Sequence, residues 1–172
     1  MRFVLLPNVF IPKSSPPFFW LAAFWRTYPP NSNYGLLQSH AKAPIIDLQW
    51  SLCSPHLFSV AADHTLTFTD VTTGGRVRRI HAHREILNAV DRSLAAGGGA
   101  GTELVATASD DKTVKVWDAS EDGGKVPVAT FEVGAPATAV CWSADGTNLY
   151  VGALDNEIHV RSEHSSSLFL CL

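Results

Sequence analysis

The 172-residue sequence is poor in charge and in cysteine, and these shortages exclude several kinds of site. Only 17% of the residues are charged, and 13 Lys and Arg against 16 Asp and Glu give a net charge of -3. This balance offers no general basis for non-specific nucleic-acid binding, which needs clustered cations. The three cysteines, Cys53, Cys141 and Cys171, form no CxxC pair and have no His at metal-ligand spacing. We therefore expect no metal site, and cysteines that serve as small apolar side chains in a reducing compartment.

Long apolar runs are also scarce. The apolar residues Phe3–Leu6 end at Pro7, and the apolar stretch 18–25 is too short to cross a bilayer. We expect neither a membrane span nor a removable presequence. The glycine-rich stretch 95–101 is not followed by a GK[ST] motif, so it predicts a flexible loop rather than a phosphate site. The 46% hydrophobic content fits a globular core.

The sequence contains a pattern that recurs three times after residue 43. Its copies centre on Asp63, Asp111 and Asp155, which are 48 and 44 residues apart. After each Asp, apolar residues return at the third and fifth positions, which is the alternation of a β-strand. These apolar pairs are Leu66 and Phe68, Val114 and Val116, and Ile158 and Val160. A further short apolar strand precedes each Asp, so the pattern predicts an all-β chain.

A tryptophan supports the same repeat independently. Trp50 precedes Asp63 by the thirteen residues that also separate Trp142 from Asp155. Their equivalent positions in the first and third units favour packing between the units over base stacking. Each unit is thus predicted to run strand, turn, strand, Asp turn, strand.

A repeat of this length that ends in Trp-Asp resembles the WD-repeat β-propeller family. The middle unit, residues 106–118, carries the ending as Trp117-Asp118. The resemblance implies that its hydrogen-bonded tetrad is formed by His83, Thr107, Asp111 and Trp117. The usual Gly-His is here Ala82-His83. The outer units are degraded, with Thr69 and Arg161 at the tetrad Trp position and Val151 at the hydroxyl position.

The resulting expectation is a partial propeller of about three blades in an incomplete ring. The predicted blades are 43–80, 81–125 and 126–160, after a non-repeat, irregular leader at 1–42 and before a non-repeat tail at 161–172. Because fewer blades are encoded than a closed propeller uses, we expect an open sheet array with an exposed edge strand near Ile158–Val160 that is prone to association.

Three segments carry a finer resemblance, to the WD-repeat subunit of the U5 small nuclear ribonucleoprotein. They are residues 43–48, 70–80 and 152–160. This resemblance covers 43–160 and stops at both ends. It implies a nuclear scaffold in pre-mRNA splicing that contacts large spliceosomal proteins, with the cytoplasm as second choice of compartment. Any RNA contact would be indirect, although Arg76, Arg78, Arg79 and Arg84 form the densest basic stretch.

No motif in the sequence indicates a catalytic reaction, so we expect no catalytic, cofactor-binding or metal site and no small-molecule substrate or membrane partner. His83 and Asp111 match the tetrad better than an acid–base dyad. Three alternatives stay open. One is a WD-repeat adaptor of another complex, such as a ubiquitin-ligase receptor or signalling scaffold. The second is an enzyme on a propeller or β-sandwich scaffold that uses Asp110 or His164, and the third is a truncated product without independent function.

Overall fold

The structure is a computed structural model and describes residues 22–25, 33–37, 39–40, 43–94, 102–120, 122–162 and 169–171. Within these residues the secondary structure is entirely β, which confirms the all-β prediction. The described segments accordingly contain no helix long and apolar enough to cross a membrane. The first two strands, β1 (Ala22–Trp25) and β2 (Asn33–Leu37), form an antiparallel pair.

The remaining strands form three four-stranded antiparallel sheets, each in chain order. The first contains β3 (Ile45–Trp50), β4 (His56–Ala61), β5 (Thr65–Asp70) and β6 (Arg76–His81). The second contains β7 (Leu87–Leu94), β8 (Glu103–Ser109), β9 (Thr113–Asp118) and β10 (Ala129–Glu132). The third contains β11 (Ala137–Trp142), β12 (Asn148–Ala153), β13 (Ile158–Ser162) and β14 (Phe169–Cys171).

The three sheets share one register. Trp50 lies opposite Leu57 in the first sheet, as Trp142 lies opposite Leu149 in the third. The first strand of each sheet also has an irregularity at the same place, where one residue is skipped in the pairing. The skipped residues are Ile46, Asn88 and Thr138. Such an extra residue is a β-bulge, which locally bends and twists its strand.

Successive sheets stack face to face through apolar side chains. The core between the first and second sheets consists mainly of Phe58, Val60, Leu66, Phe68 and Ile80 on one side and Leu87, Val90, Val105 and Trp117 on the other. The core between the second and third sheets consists mainly of Ala106, Ala108, Val114 and Val116 against Val140, Leu149 and Val151. Each fully buried large side chain contributes about 1.5–3 kcal/mol. The period-two alternation read from the sequence therefore places the apolar residues between blades.

The far face of the third sheet is left open within the described residues. Tyr150 and Ile158 occupy the register positions that Phe58 and Leu66 hold in the first sheet, yet they are 41% and 56% exposed. The array is thus a partial propeller with an incomplete ring, as the sequence predicts.

The predicted exposed edge near Ile158–Val160 is wrong. Strand β13 pairs with β14, so that Val160 lies opposite Phe169 and Ile158 lies opposite Cys171. The predicted tail therefore supplies the fourth strand of the third sheet, and β14 is its edge. A three-residue strand has too few positions to show an alternation, which is why the sequence pattern did not indicate it.

Part of the predicted leader also packs on the repeat region. Ala22 and Leu37 are buried against Ile45 and Leu57, on the face of the first sheet that is turned away from the second. The β1–β2 pair thus covers the face that a preceding blade would occupy. Ser39 and His40 of the leader are described as well, and the leader residues 1–21, 26–32, 38 and 41–42 lie outside the described part of the chain.

Candidate functional site: the Asp turns and their rim

The three repeated aspartates occupy equivalent turns. Each accepts a hydrogen bond through Oδ1 from the backbone N–H two residues later, at 3.0–3.2 Å. The residue after each Asp has a left-handed backbone, with φ values of 64°, 66° and 66° at His64, Lys112 and Asn156. We call these turns, with the side chains that contact the aspartate, the Asp corners.

The second corner contains the complete network. His83 Nε2 lies 2.8 Å from Thr107 Oγ1, and His83 Nδ1 lies 3.0 Å from Asp111 Oδ2. Trp117 Nε1 donates to the same Thr107 hydroxyl at 3.0 Å. A neutral imidazole with its proton on Nδ1 satisfies the whole chain, since it donates to Asp111 and accepts from Thr107. The four residues that the family resemblance names as the tetrad are therefore brought together by the fold.

Burial and hydrogen bonding fix the charges of this corner. Burial lowers the pKa of His83 to about 4, despite the opposing attraction of Asp111. Burial also disfavours the Asp111 carboxylate, but hydrogen bonds from Thr113 and from the Arg84 backbone outweigh it and lower the pKa of Asp111 to about 2. At neutral pH the pair is thus a neutral imidazole beside a carboxylate. Because their polar atoms are already bonded within the chain, the geometry favours a structural role over acid–base chemistry.

The first corner contains a histidine that sequence reasoning missed. His40 Nε2 lies 2.9 Å from Ser59 Oγ, and His40 Nδ1 lies 3.1 Å from Thr65 Oγ1 and 3.4 Å from Asp63. His40 is 1% exposed, and it occupies the place that His83 has in the second corner. Burial lowers its pKa.

The signal for His40 was present in the sequence. His40 stands three residues after Leu37, as His83 stands three residues after Ile80. Ser39 precedes His40, as Ala82 precedes His83. Beginning the first blade at residue 43 leaves out this histidine, which belongs to the hydrogen-bond network of that blade. The tetrad Trp position remains Thr69, whose hydroxyl lies 3.4 Å from Ser39 Oγ.

The third corner is built differently. Val151 replaces the hydroxyl, and residues 133–136 supply no histidine. Asp155 instead lies 2.9 Å from Nε2 of His159 on its own hairpin. The hydrogen bond to His159 is the main cause that lowers the pKa of Asp155. Arg161, at the tetrad Trp position, donates to the Glu132 carbonyl at 3.2 Å.

The two repeat-marking tryptophans join neighbouring sheets. The Trp50 carbonyl accepts a hydrogen bond from Arg92 Nε at 2.7 Å, and the Trp142 N–H donates to Asp91 at 2.8 Å. Both indoles are half-buried and pack on the apolar clusters of their sheets.

A half-buried and a buried acidic group link the sheets in the same way, and no sequence motif indicated them. Asp47 accepts from the Val90 N–H at 2.9 Å, and Glu103 accepts from the Leu52 N–H at 2.7 Å. Burial raises the pKa of Asp47. These contacts join residues more than forty positions apart, which is why no local pattern marks them.

The basic stretch does not form one patch. Arg78 lies over the Phe68 ring at 3.9 Å and donates to the carbonyls of Asp118 and Gly123, so it fastens the loop after β9. Arg79 pairs with Asp63 at 2.9 Å. Arg76 and Arg84 are exposed. Of the groups named in the enzyme alternative, Asp110 accepts a hydrogen bond from Asn88, and His164 lies outside the described residues.

An exposed apolar rim lies along the edge that carries the Asp corners. Leu154 directly precedes Asp155 and is 65% exposed, and Ile86 stands just before β7. Ile46 is the skipped bulge residue of β3 and is also exposed. We call Ile46, Ile86 and Leu154 the Asp-turn rim. Because rigid sheets hold these exposed side chains in place, the rim is one described surface that suits protein contact.

Comparison with known proteins agrees with the repeat pattern. The family model "WD domain, G-beta repeat" matches residues 74–118 and 125–162. The "Pre-mRNA-splicing factor cwf17" of Schizosaccharomyces pombe is 33% identical over 145 residues, which is 83% of this chain and 40% of the relative. The "U5 small nuclear ribonucleoprotein 40 kDa protein" of Dictyostelium discoideum is 29% identical, over 79% of this chain and 36% of the relative. "Protein HIR1" of Mycosarcoma maydis is 29% identical over 79% of this chain and 14% of the relative.

Two facts follow from these matches. The chain spans less than half the length of the relatives it matches. The match to cwf17 covers 145 residues, or 83% of the chain, which is longer than the segment 43–160. The similarity therefore extends beyond at least one end of that segment. The expectation that it stops there is wrong.

Proposed function

We propose that this chain, which belongs to the WD-repeat β-propeller proteins, is a non-catalytic docking scaffold in pre-mRNA splicing. The likeness to a protein named as a pre-mRNA-splicing factor, and to one named as a U5 small nuclear ribonucleoprotein subunit, supports the process. The Asp-turn rim supports the docking role, since three large apolar side chains stand in water on a rigid edge. A nuclear location follows from the same proposal.

The partner that fits the rim is a protein rather than a nucleic acid. Apolar side chains contribute to protein interfaces by filling pockets, whereas phosphate binding needs free cations close together. Arg78 and Arg79 are already engaged with the Asp118 carbonyl and with Asp63. We therefore propose large spliceosomal proteins as partners, with any RNA contact made through them.

The absence of catalysis is also a proposal. Its support is that the His83–Asp111 pair donates and accepts within the tetrad and holds the second sheet together. A hydrolytic activity of the chain that is lost in Asp110→Asn, while the fold stays intact, would favour the enzyme alternative instead.

The test is a pull-down from nuclear extract with the tagged full chain and a rim variant, Leu154→Glu. A buried apolar anchor that is replaced by a charge costs about 2 kcal/mol or more, so we expect recovery of U5 proteins to fall by roughly tenfold or more. The matched control is Val126→Glu, because Val126 is 78% exposed but lies in the loop between β9 and β10, at the opposite edge of the second sheet.

Three results would overturn the proposal. Equal loss with Val126→Glu would remove the rim as the docking surface. Recovery of cullin adaptors or signalling proteins without splicing factors would assign the chain to another complex. Recovery of proteins that bind HIR1, without splicing factors, would also assign the chain to another complex. The likeness to HIR1 makes this the specific alternative to look for.

A further inference from the structure

Two residues of the Asp-turn rim belong to neighbouring sheets. Ile86 stands just before β7 of the second sheet, and Leu154 lies between β12 and β13 of the third sheet. They are 37% and 65% exposed. Because stacked sheets lie roughly 10 Å apart, one short segment of a partner spans both residues. We call this part of the rim, with the residues that connect it, the seam: Ile86, Asn88, Asp110, Pro136 and Leu154.

Hydrogen bonds join the seam into one continuous surface. The Ile86 carbonyl accepts from the Asp110 N–H at 3.0 Å. Asn88 Nδ2 donates to Asp110 Oδ1 at 2.6 Å and to the Ala137 carbonyl at 2.9 Å, so this side chain crosses from the second sheet to the third. The carbonyl of the residue before Ala137 accepts from the Leu154 N–H at 3.0 Å. The two apolar side chains are therefore held at fixed positions with Asp110 between them in the chain of contacts.

Asp110 brings an uncompensated negative charge to the seam. Its Oδ1 accepts from Asn88, whereas its Oδ2 has no hydrogen-bond or ion-pair partner among the described residues. The ion pairs of Arg79 and Arg92 go to Asp63 and Asp91 instead. Since Asp110 is half-buried, solvent and salt screen its charge less than that of a fully exposed group.

The internal repeat shows that the turn does not need this carboxylate. Ala62 occupies the position of Asp110 in the first sheet, and its N–H makes the same backbone bond, to the Pro44 carbonyl at 3.1 Å. Leu154 occupies the same position in the third sheet and keeps the bond as well. Alanine, aspartate and leucine thus form one turn, so the side chain at this position is free to serve recognition.

We propose that the seam binds a protein segment in which an arginine or lysine stands between two apolar side chains. The basic group pairs with Asp110, and the apolar side chains pack on Ile86 and Leu154. This inference rests on the proposed docking function and names the partner chemistry of that surface. Asp155 and Glu157 follow Leu154 in the chain and extend the negative charge, so a phosphate backbone is repelled here.

The direct test is an NMR titration of the isotope-labelled full chain with the blocked peptide Leu-Ser-Arg-Ser-Leu. In an extended peptide alternate side chains lie on one side, so both leucines and the arginine face the seam together. We expect saturable shifts of the Ile86, Asn88 and Leu154 amide signals. Binding should be roughly threefold or more weaker in Asp110→Asn, because asparagine still accepts from Asn88 and only the charge is lost.

Asp122→Asn is the matched control, since Asp122 is exposed in the loop between β9 and β10 at the opposite edge of the second sheet. It should bind the peptide as the wild type does. The acidic peptide Leu-Ser-Glu-Ser-Leu should not bind, and about 0.5 M salt should weaken the basic one. Equal affinity for the two peptides, equal affinity of the two variants, or no shift at the seam at millimolar peptide would each overturn the inference.

Failure of this inference differs from failure of the docking proposal. If Leu154→Glu lowers the recovery of U5 proteins from nuclear extract and Asp110→Asn does not, the rim docks splicing proteins without the charge, and only the present inference is wrong. If the peptide binds as expected but neither variant changes that recovery, the seam recognises basic apolar segments and the splicing assignment is wrong.

Discussion

The substitution Thr107→Val tests the tetrad most directly, because valine has nearly the same shape as threonine and removes only the hydroxyl. Thr107 is fully buried, and its hydroxyl accepts from Trp117 and contacts His83 at 2.8 Å. The substitution leaves two buried nitrogen atoms without a partner. At about 1–3 kcal/mol for each, partly relieved by relaxation, the free energy of unfolding should fall by roughly 2–4 kcal/mol.

Urea denaturation followed by tryptophan fluorescence measures this loss. With a denaturant dependence of about 2 kcal/mol per molar urea, the midpoint should fall by roughly 1–2 M. Thr130→Val, at an exposed position of the same sheet, is the control and should change the free energy by less than about 0.5 kcal/mol. Midpoints that agree for the two variants would refute the view that the hydroxyl holds the network together.

Two further predictions concern the histidines. The pKa of His83 is about 4 in the folded chain against 6.5 in the unfolded chain, so protonation favours unfolding. The free energy of unfolding should therefore be highest above pH 6.5 and should fall as the pH drops toward 4. Urea midpoints measured across this range should show the fall, and an equal fall in His83→Gln would contradict the prediction. His40→Ala should lower the free energy of unfolding by about 1–3 kcal/mol, whereas the exposed control His81→Ala should change it little. Equal effects of the two substitutions would mean that His40 does not stabilise the first blade.

The features that the sequence predicted well are those that repeat locally. The Asp turns, the apolar alternation after them and the Trp117-Asp118 ending all lie within one unit, so the order of residues alone indicates the all-β repeat architecture. The tetrad could be named from the family resemblance because each of its members has a fixed place in the unit.

The features that it missed arise between units. His40 belongs to the first blade by contact but stands before it in the chain, among residues whose proline and aromatic content hides the repeat. Asp47 and Glu103 act across sheets, where hydrogen bonding depends on how the blades stack. Strand β14 is defined by its pairing with β13 rather than by any pattern of its own.

The residue that is skipped in the first strand of each sheet has a consequence for how the sequence can evolve. Ile46, Asn88 and Thr138 stand outside the backbone hydrogen-bond ladder, and the Asn88 side chain also donates to Asp110 and to the Ala137 carbonyl. One is hydrocarbon, one is an amide and one is an alcohol, although all three interrupt the ladder at the same point. Selection could therefore change the exposed Ile46 and Thr138 for a new binding partner while the blades beneath remain as they are, whereas Asn88 is constrained by its bond to the neighbouring sheet.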